Sequence, residues 1–94
     1  MFIHVVMYRV KDPEVNVPKM KELLCSLPAK IDLIKKLRFG KDEIGSARSV
    51  DACLYTEFES KEDMLAYRDH PEHVKVADFI ATIKLESYSA DFAE

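Results

Sequence analysis

The chain reads as an α+β fold, a ferredoxin-like β-α-β-β-α-β unit whose four-stranded antiparallel sheet carries its helices on one face. Three observations predict this. Apolar alternation marks four strands, at about 2–10, 35–41, 51–58 and 85–92, while helical spacing fills the stretches after the first and third. Crossovers that must be short and right-handed leave few other ways to join these elements in 94 residues. Finally, the first strand is apolar on both sides, so the face that the helices leave bare also needs cover. A second copy packed sheet to sheet supplies that cover, which makes a symmetric homodimer the expected assembly of this single domain, 1–94.

Phe2 to Val10 is rich in β-branched and aromatic residues; Phe2, His4, Val6, Tyr8 and Val10 share one side, and Ile3, Val5 and Met7 the other. Asp12-Pro13 ends the strand. Val17, Met20, Leu23, Leu24 and Leu27 then recur at helical spacing up to Pro28, with Pro18 expected in the first turn. The stretch from Ala29 to Lys36 fits either a helical turn or a strand entry. After the second strand a polar, aperiodic loop runs through Gly45 and Ser46. The third strand places Ala52, Leu54 and Phe58 on one side and Cys53, Tyr55 and Glu57 on the other. Ser60, with Asp63 three residues on, has the form of a capping box opening the second helix, whose apolar face is Met64, Leu65 and Tyr67. His70 precedes a proline and is pushed out of the α region, so that helix should stop there. Pro71 suits the first position of a new helix carrying Val74, Ala77, Phe79, Ile80 and Ile83, before Leu85 to Phe92 alternates as the last strand.

Composition excludes several classes. A net charge of −3 with no basic stripe argues against a nucleic-acid surface. No stretch approaches the ~20 consecutive apolar residues of a membrane span, and the opening residues lack the pattern of an export signal, so no membrane partner and a cytoplasmic location are expected. Cys25 and Cys53 fall within apolar patterns and are expected reduced and buried. With two glycines there is no phosphate-cradling loop. No cysteine or histidine motif of metal-binding spacing occurs, so neither a metal nor an organic cofactor is expected.

The segment Tyr67-Arg68-Asp69-His70-Pro71-Glu72-His73 holds two of the three histidines. His73 falls in the first turn of the new helix, where the dipole field disfavours the imidazolium and leaves a neutral ring able to accept a proton. Two readings of it stay open. His73 is a general base with Tyr67 polarising a substrate oxygen, or it is a brace bonded across to the first strand with Tyr67 a core residue whose hydroxyl is satisfied. His70 reads as a cap at the helix junction. His4 lies on the strand face that would line a pocket under the helices, and its role depends on whether it faces His73.

Three segments resemble the stress-responsive A/B barrel domain family, of the dimeric α/β-barrel superfamily: Ile3 to Asp12, Tyr55 to Met64, and Tyr67 to Val74 with His70-Pro71-Glu72-His73. The resemblance covers nearly the whole chain. It implies a dimeric α/β barrel of unassigned reaction, with a pocket for a small apolar or aromatic molecule near the His-Pro-x-His motif. In the plant polyketide cyclases of the family, a histidine and a tyrosine matching His73 and Tyr67 act as base and partner in a cofactor-free ring closure. The resemblance makes these two the catalytic candidates and His4 the substrate-binding one. Ala52 departs from the cyclases, standing where they carry a polar pocket residue. The haem-degrading members of the superfamily depend on a tryptophan, and this chain has none.

Overall fold

The computed structural model describes all 94 residues. In chain order the elements are β1 (Phe2–Val10), α1 (Pro13–Cys25), a 3-10 turn (Leu27–Ala29), β2 (Lys36–Lys41), β3 (Ala52–Phe58), α2 (Lys61–Asp69), α3 (Pro71–Ile83) and β4 (Lys84–Ala93). They form one four-stranded sheet in the order β2-β3-β1-β4, every neighbouring pair antiparallel. This is the expected ferredoxin-like plan.

Register decides which residues share a face. On β1, Phe2, His4, Val6 and Tyr8 stand opposite Phe58, Thr56, Leu54 and Ala52 of β3. This inner face lies under the helices. The alternation predicted for β3 is strict, with Ala52, Leu54, Thr56 and Phe58 buried and the residues between them only half-buried. Thr56, the one buried polar residue, donates its hydroxyl to the carbonyl of His4 at 2.9 Å, which removes the cost of an unpaired group and ties the two central strands.

Several helix boundaries differ from expectation. The first helix starts at Pro13, not near Val17, because Asp12 takes a left-handed backbone (φ 42°) and Pro13 then supplies the fixed φ of a first helical residue. Pro18 therefore lies inside α1, where it deprives the exposed Glu14 carbonyl of its usual donor. Cys25 is exposed at the end of α1 and Cys53 is half-buried; both are free thiols. The stripe that α3 buries is Val76, Ile80 and Ile83, while Val74 is exposed. The ambiguous stretch before β2 is the 3-10 turn and loop that bury Leu27, Ile31 and Ile34.

β4 is the least covered element, exposed along all ten residues. Its pairing with β1 is regular from Phe2–Ala93 to Arg9–Glu86 and then slips, so that Val10 stands opposite Lys84 and Leu85 is the extra residue. No helix of the chain is long and apolar enough to cross a membrane.

Candidate functional site

The α2–α3 junction is built as the local sequence dictates. Ser60 accepts from the Asp63 amide at 3.1 Å and opens α2. His70 takes extended backbone before Pro71, ends α2, and turns its ring to accept the Glu72 amide at 3.1 Å through Nδ1. It is thus the N-cap of α3, and His73 follows in the first turn.

His73 Nδ1 lies 2.9 Å from the carbonyl oxygen of Arg68, in the last turn of α2. A carbonyl only accepts, so the proton sits on Nδ1, and Nε2 carries the lone pair of the neutral ring. Burial pushes the His73 pKa below the ordinary histidine value; the bond to Arg68 opposes this, while the charge of His4 adds to it. The direction matches the expectation from the helix dipole, but the leading cause is desolvation. The bond goes to α2 and not to β1, so the brace that the sequence suggested joins the two helices.

Tyr67 is wedged between Phe58 and His73, with ring centroids 4.9 and 4.4 Å away and planes tilted by 47° and 48°. It is 1% exposed, and its hydroxyl has no hydrogen-bond partner. A satisfied core hydroxyl is therefore not what the fold provides. An unpaired buried hydroxyl costs roughly 1–3 kcal/mol. Burial, with the nearby Tyr8 adding, pushes the Tyr67 pKa well above its ordinary value. Tyr8 is pushed up to about 12, by burial first and Cys53 second. Both phenols therefore stay protonated at neutral pH and can donate.

His73 and Tyr8 meet in a cleft of about 190 Å³ between α3 and the inner face of β1 and β4. Val6, Leu24, Val76 and Ile80 form its apolar wall; Lys84 and Ser87 stand at its β4 side. His4 is on the same face of β1 but outside the lining, and its Nδ1–H is taken by the Asp91 carboxylate on β4. Tyr67 reaches the cleft only through the His73 ring that it stacks on. No three histidine, cysteine or carboxylate side chains gather as a ligand set. A larger hollow of about 420 Å³ lies by the β2–β3 loop, lined by Met7, Arg48 and Cys53 and distant in the fold from the histidine motif.

The fold brings His73 and Tyr67 together and sets His4 beside them on the sheet. Sequence reasoning missed Tyr8, although it shares a strand face with His4. It also missed Asp91, which carried no local signal.

Comparison with known proteins places these features in context. Residues 2–94 match the family model described as Stress responsive A/B Barrel Domain. A stress-response A/B barrel domain-containing protein of Arabidopsis thaliana is 32% identical over 76 residues, which cover 78% of this chain and 28% of that protein. A second stress-response A/B barrel domain-containing protein of the same plant is 26% identical over 94 residues, 95% of this chain and 45% of that protein. The chain thus spans less than half the length of either. A solved dimeric protein of unknown function and ferredoxin-like fold from Bacteroides fragilis superposes with a TM-score of 0.90 at 28% identity, covering 99% of this chain and 95% of that one.

Proposed function

The chain belongs to the stress-responsive A/B barrel domain family, and on that premise we propose that each protomer of a homodimer binds a small apolar molecule in the cleft under α3 and moves a proton on it without a cofactor. His73 is the base in this reading. The observation that carries it is the orientation of that ring: Nδ1–H is held by the Arg68 carbonyl, which leaves the Nε2 lone pair as the acceptor, and burial keeps the ring neutral. A neutral imidazole fixed at the edge of an apolar cleft meets the requirements of a general base.

The tyrosines supply the complementary part. When a proton leaves the carbon beside a carbonyl, negative charge gathers on the oxygen, and a donor already desolvated and aimed there stabilises it. Tyr8 lines the cleft and is that donor, while Tyr67, packed behind His73, holds the base in position. His4, held by Asp91, lies beside the cleft on the same face of β1. The resemblance to the plant cyclases supports the same roles, with ring closure as one outcome of such an enolate. The absence of a polar group at Ala52 favours simpler proton transfer over that closure.

A direct test is solvent deuterium exchange into 2,4-pentanedione, followed by proton NMR. Wild type should accelerate exchange, His73→Ala should abolish the acceleration while remaining folded by circular dichroism, and Tyr8→Phe, which removes the donor that lines the cleft, should lower it about 100- to 1,000-fold, in line with loss of one oxyanion donor. Binding of the dione without exchange would reduce the site to a binding module. Neither binding nor exchange would remove the reading for enolisable ketones.

The dimer rests on the outer face of the sheet. Met7, Tyr88 and Phe92 are 41%, 52% and 45% exposed there in the single protomer, and a solved relative is described as dimeric. Charge favours one of the two ways in which sheets can meet about a two-fold axis. On the outer face the β2 edge carries Lys36 and Arg38, while the β4 edge carries Glu86 and, by continued alternation, Glu94. An axis along the strands sets β4 over the partner's β2 and pairs acid with base; an axis across them stacks acid on acid. We take the first arrangement. Light scattering on Lys36→Glu/Arg38→Glu should find a weakened dimer, partly restored by adding Glu94→Lys.

A further inference from the structure

The slip in the β1–β4 ladder gives the cleft a charge that strict alternation would have denied it. Along β4, Ala93, Asp91, Ser89 and Ser87 stand opposite the inner residues Phe2, His4, Val6 and Tyr8. Were the alternation unbroken, the next inner position would be Leu85 and Lys84 would face outward. Leu85 is instead left out of the pairing, and Lys84 stands opposite Val10, an inner residue that is 2% exposed. One extra residue has reversed the parity of the strand, which is how a β-bulge re-aims a side chain, often beside a functional site. The cleft confirms the consequence: Lys84 lines it together with Ser87, while Leu85 does not and is 60% exposed.

Lys84 is also uncommitted. Lys30, Lys35, Lys41 and Lys75 each lie within 4 Å of a carboxylate, but no carboxylate comes that close to Lys84. The acidic group on the same strand face, Asp91, is engaged by His4, and Glu86 is engaged by Arg9 and Tyr88. With His73 neutral and Tyr8 protonated, Lys84 is the one formal charge lining the cleft.

From this geometry we infer that the cleft selects a small carboxylate: an apolar body of about one ring against Val76 and Ile80, and an anionic end held by the Lys84 ammonium and the Ser87 hydroxyl. At about 190 Å³ the cleft falls below the roughly 300–1,000 Å³ of sites for drug-sized ligands, which limits the body to a single ring or a short acyl chain. A charged end at the rim and an apolar body within let the ammonium keep part of its hydration, so the pairing is favourable without burial of an ion. The inference deepens the proposed function and rests on the same cleft.

Phenylacetate and its neutral counterpart phenylacetamide separate the two claims. Each would be titrated into the folded, full-length protein while backbone amide NMR signals report where it binds. Wild type should hold phenylacetate about 3- to 10-fold more tightly than phenylacetamide, the size of effect expected of an ammonium–carboxylate pair at a partly hydrated rim. Both compounds should perturb Val76, Ile80 and Ser87, and added salt should weaken only the acid. Lys84→Met, which keeps the aliphatic stem, should bring the two affinities within twofold, and Lys84→Arg should restore the preference. Equal affinities in wild type, or a preference that survives in Lys84→Met, would overturn the carboxylate assignment and leave the cleft standing as a ligand site. If neither compound perturbs the cleft, this inference falls together with the proposed binding of small apolar molecules.

Discussion

The two faces of this one sheet are built to opposite ends. The inner face of β3 is fully buried, with Phe58 at 0% and Leu54 at 2% exposure, and its polar member Thr56 is paired. The outer face mixes Ile3, buried at 1%, with Met7, Tyr88 and Phe92, which are half open in the protomer, and carries unlike charges at its two edges. The inner face has its cover in the same chain and concentrates its polarity in a small site where α3 parts from β4. The outer face has no such cover beyond Ile3, and Met7, Tyr88 and Phe92 stand partly open in the protomer. The difference teaches that apolar content alone does not locate a core: the same alternation serves folding on one side and recognition on the other.

Substitutions should separate these roles. The largest effect belongs to the inner face: Phe58→Ala removes a buried ring stacked on Tyr67 and should cost about 3–5 kcal/mol in chemical denaturation. The outer face should answer differently. Tyr88→Asp with Phe92→Asp should leave protomer stability nearly unchanged but weaken self-association by about 3 kcal/mol, more than 100-fold, in analytical ultracentrifugation. A loss of protomer stability equal to that of Phe58→Ala would erase the distinction between the faces.

Smaller effects sharpen the inner face itself. His70→Ala removes the α3 cap and should cost about 1 kcal/mol in thermal denaturation. Tyr67→Phe deletes a buried hydroxyl that has no partner, so it should be neutral or stabilise by up to about 1 kcal/mol. A clear loss of stability would mean that the hydroxyl is paired in solution. The smallest effect is linked to pH. The folded His73 has a depressed pKa, so the unfolded chain takes up the proton first as pH falls. The contribution is fully present above the unfolded value of about 6.5 and is lost as pH drops from there through the lower folded value. Melting curves of wild type should therefore decline across that window, and those of His73→Gln should decline less.

Much of the fold was legible because its signals are local. The capping box at Ser60, the helix break before Pro71 and the alternation of β3 each depend on residues within a few positions of one another. Where reading failed, a local signal had two solutions: a proline that opens α1 stood five residues before another that the helix absorbs, and Val74 fitted the helical spacing as well as Val76 did. The site was legible in part. His73 and Tyr67 share a short motif, so their meeting follows from one helix junction, but Tyr8, Asp91 and Lys84 come from distant strands and announce nothing in their own neighbourhoods.

By itself, then, the sequence determined the order of strands and helices, the two-sided apolarity of β1 and the capped junction that presents His73. Tertiary structure alone decided the rest: which carbonyl fixes the proton on His73, that the Tyr67 hydroxyl is left unpaired, and that a bulge at Leu85 turns Lys84 inward. The reason is physical. Caps, turns and periodicity are set by near neighbours along the chain, whereas strand register and desolvation are properties of segments that meet only after folding, and a slip of one residue in register exchanges the two faces of a strand.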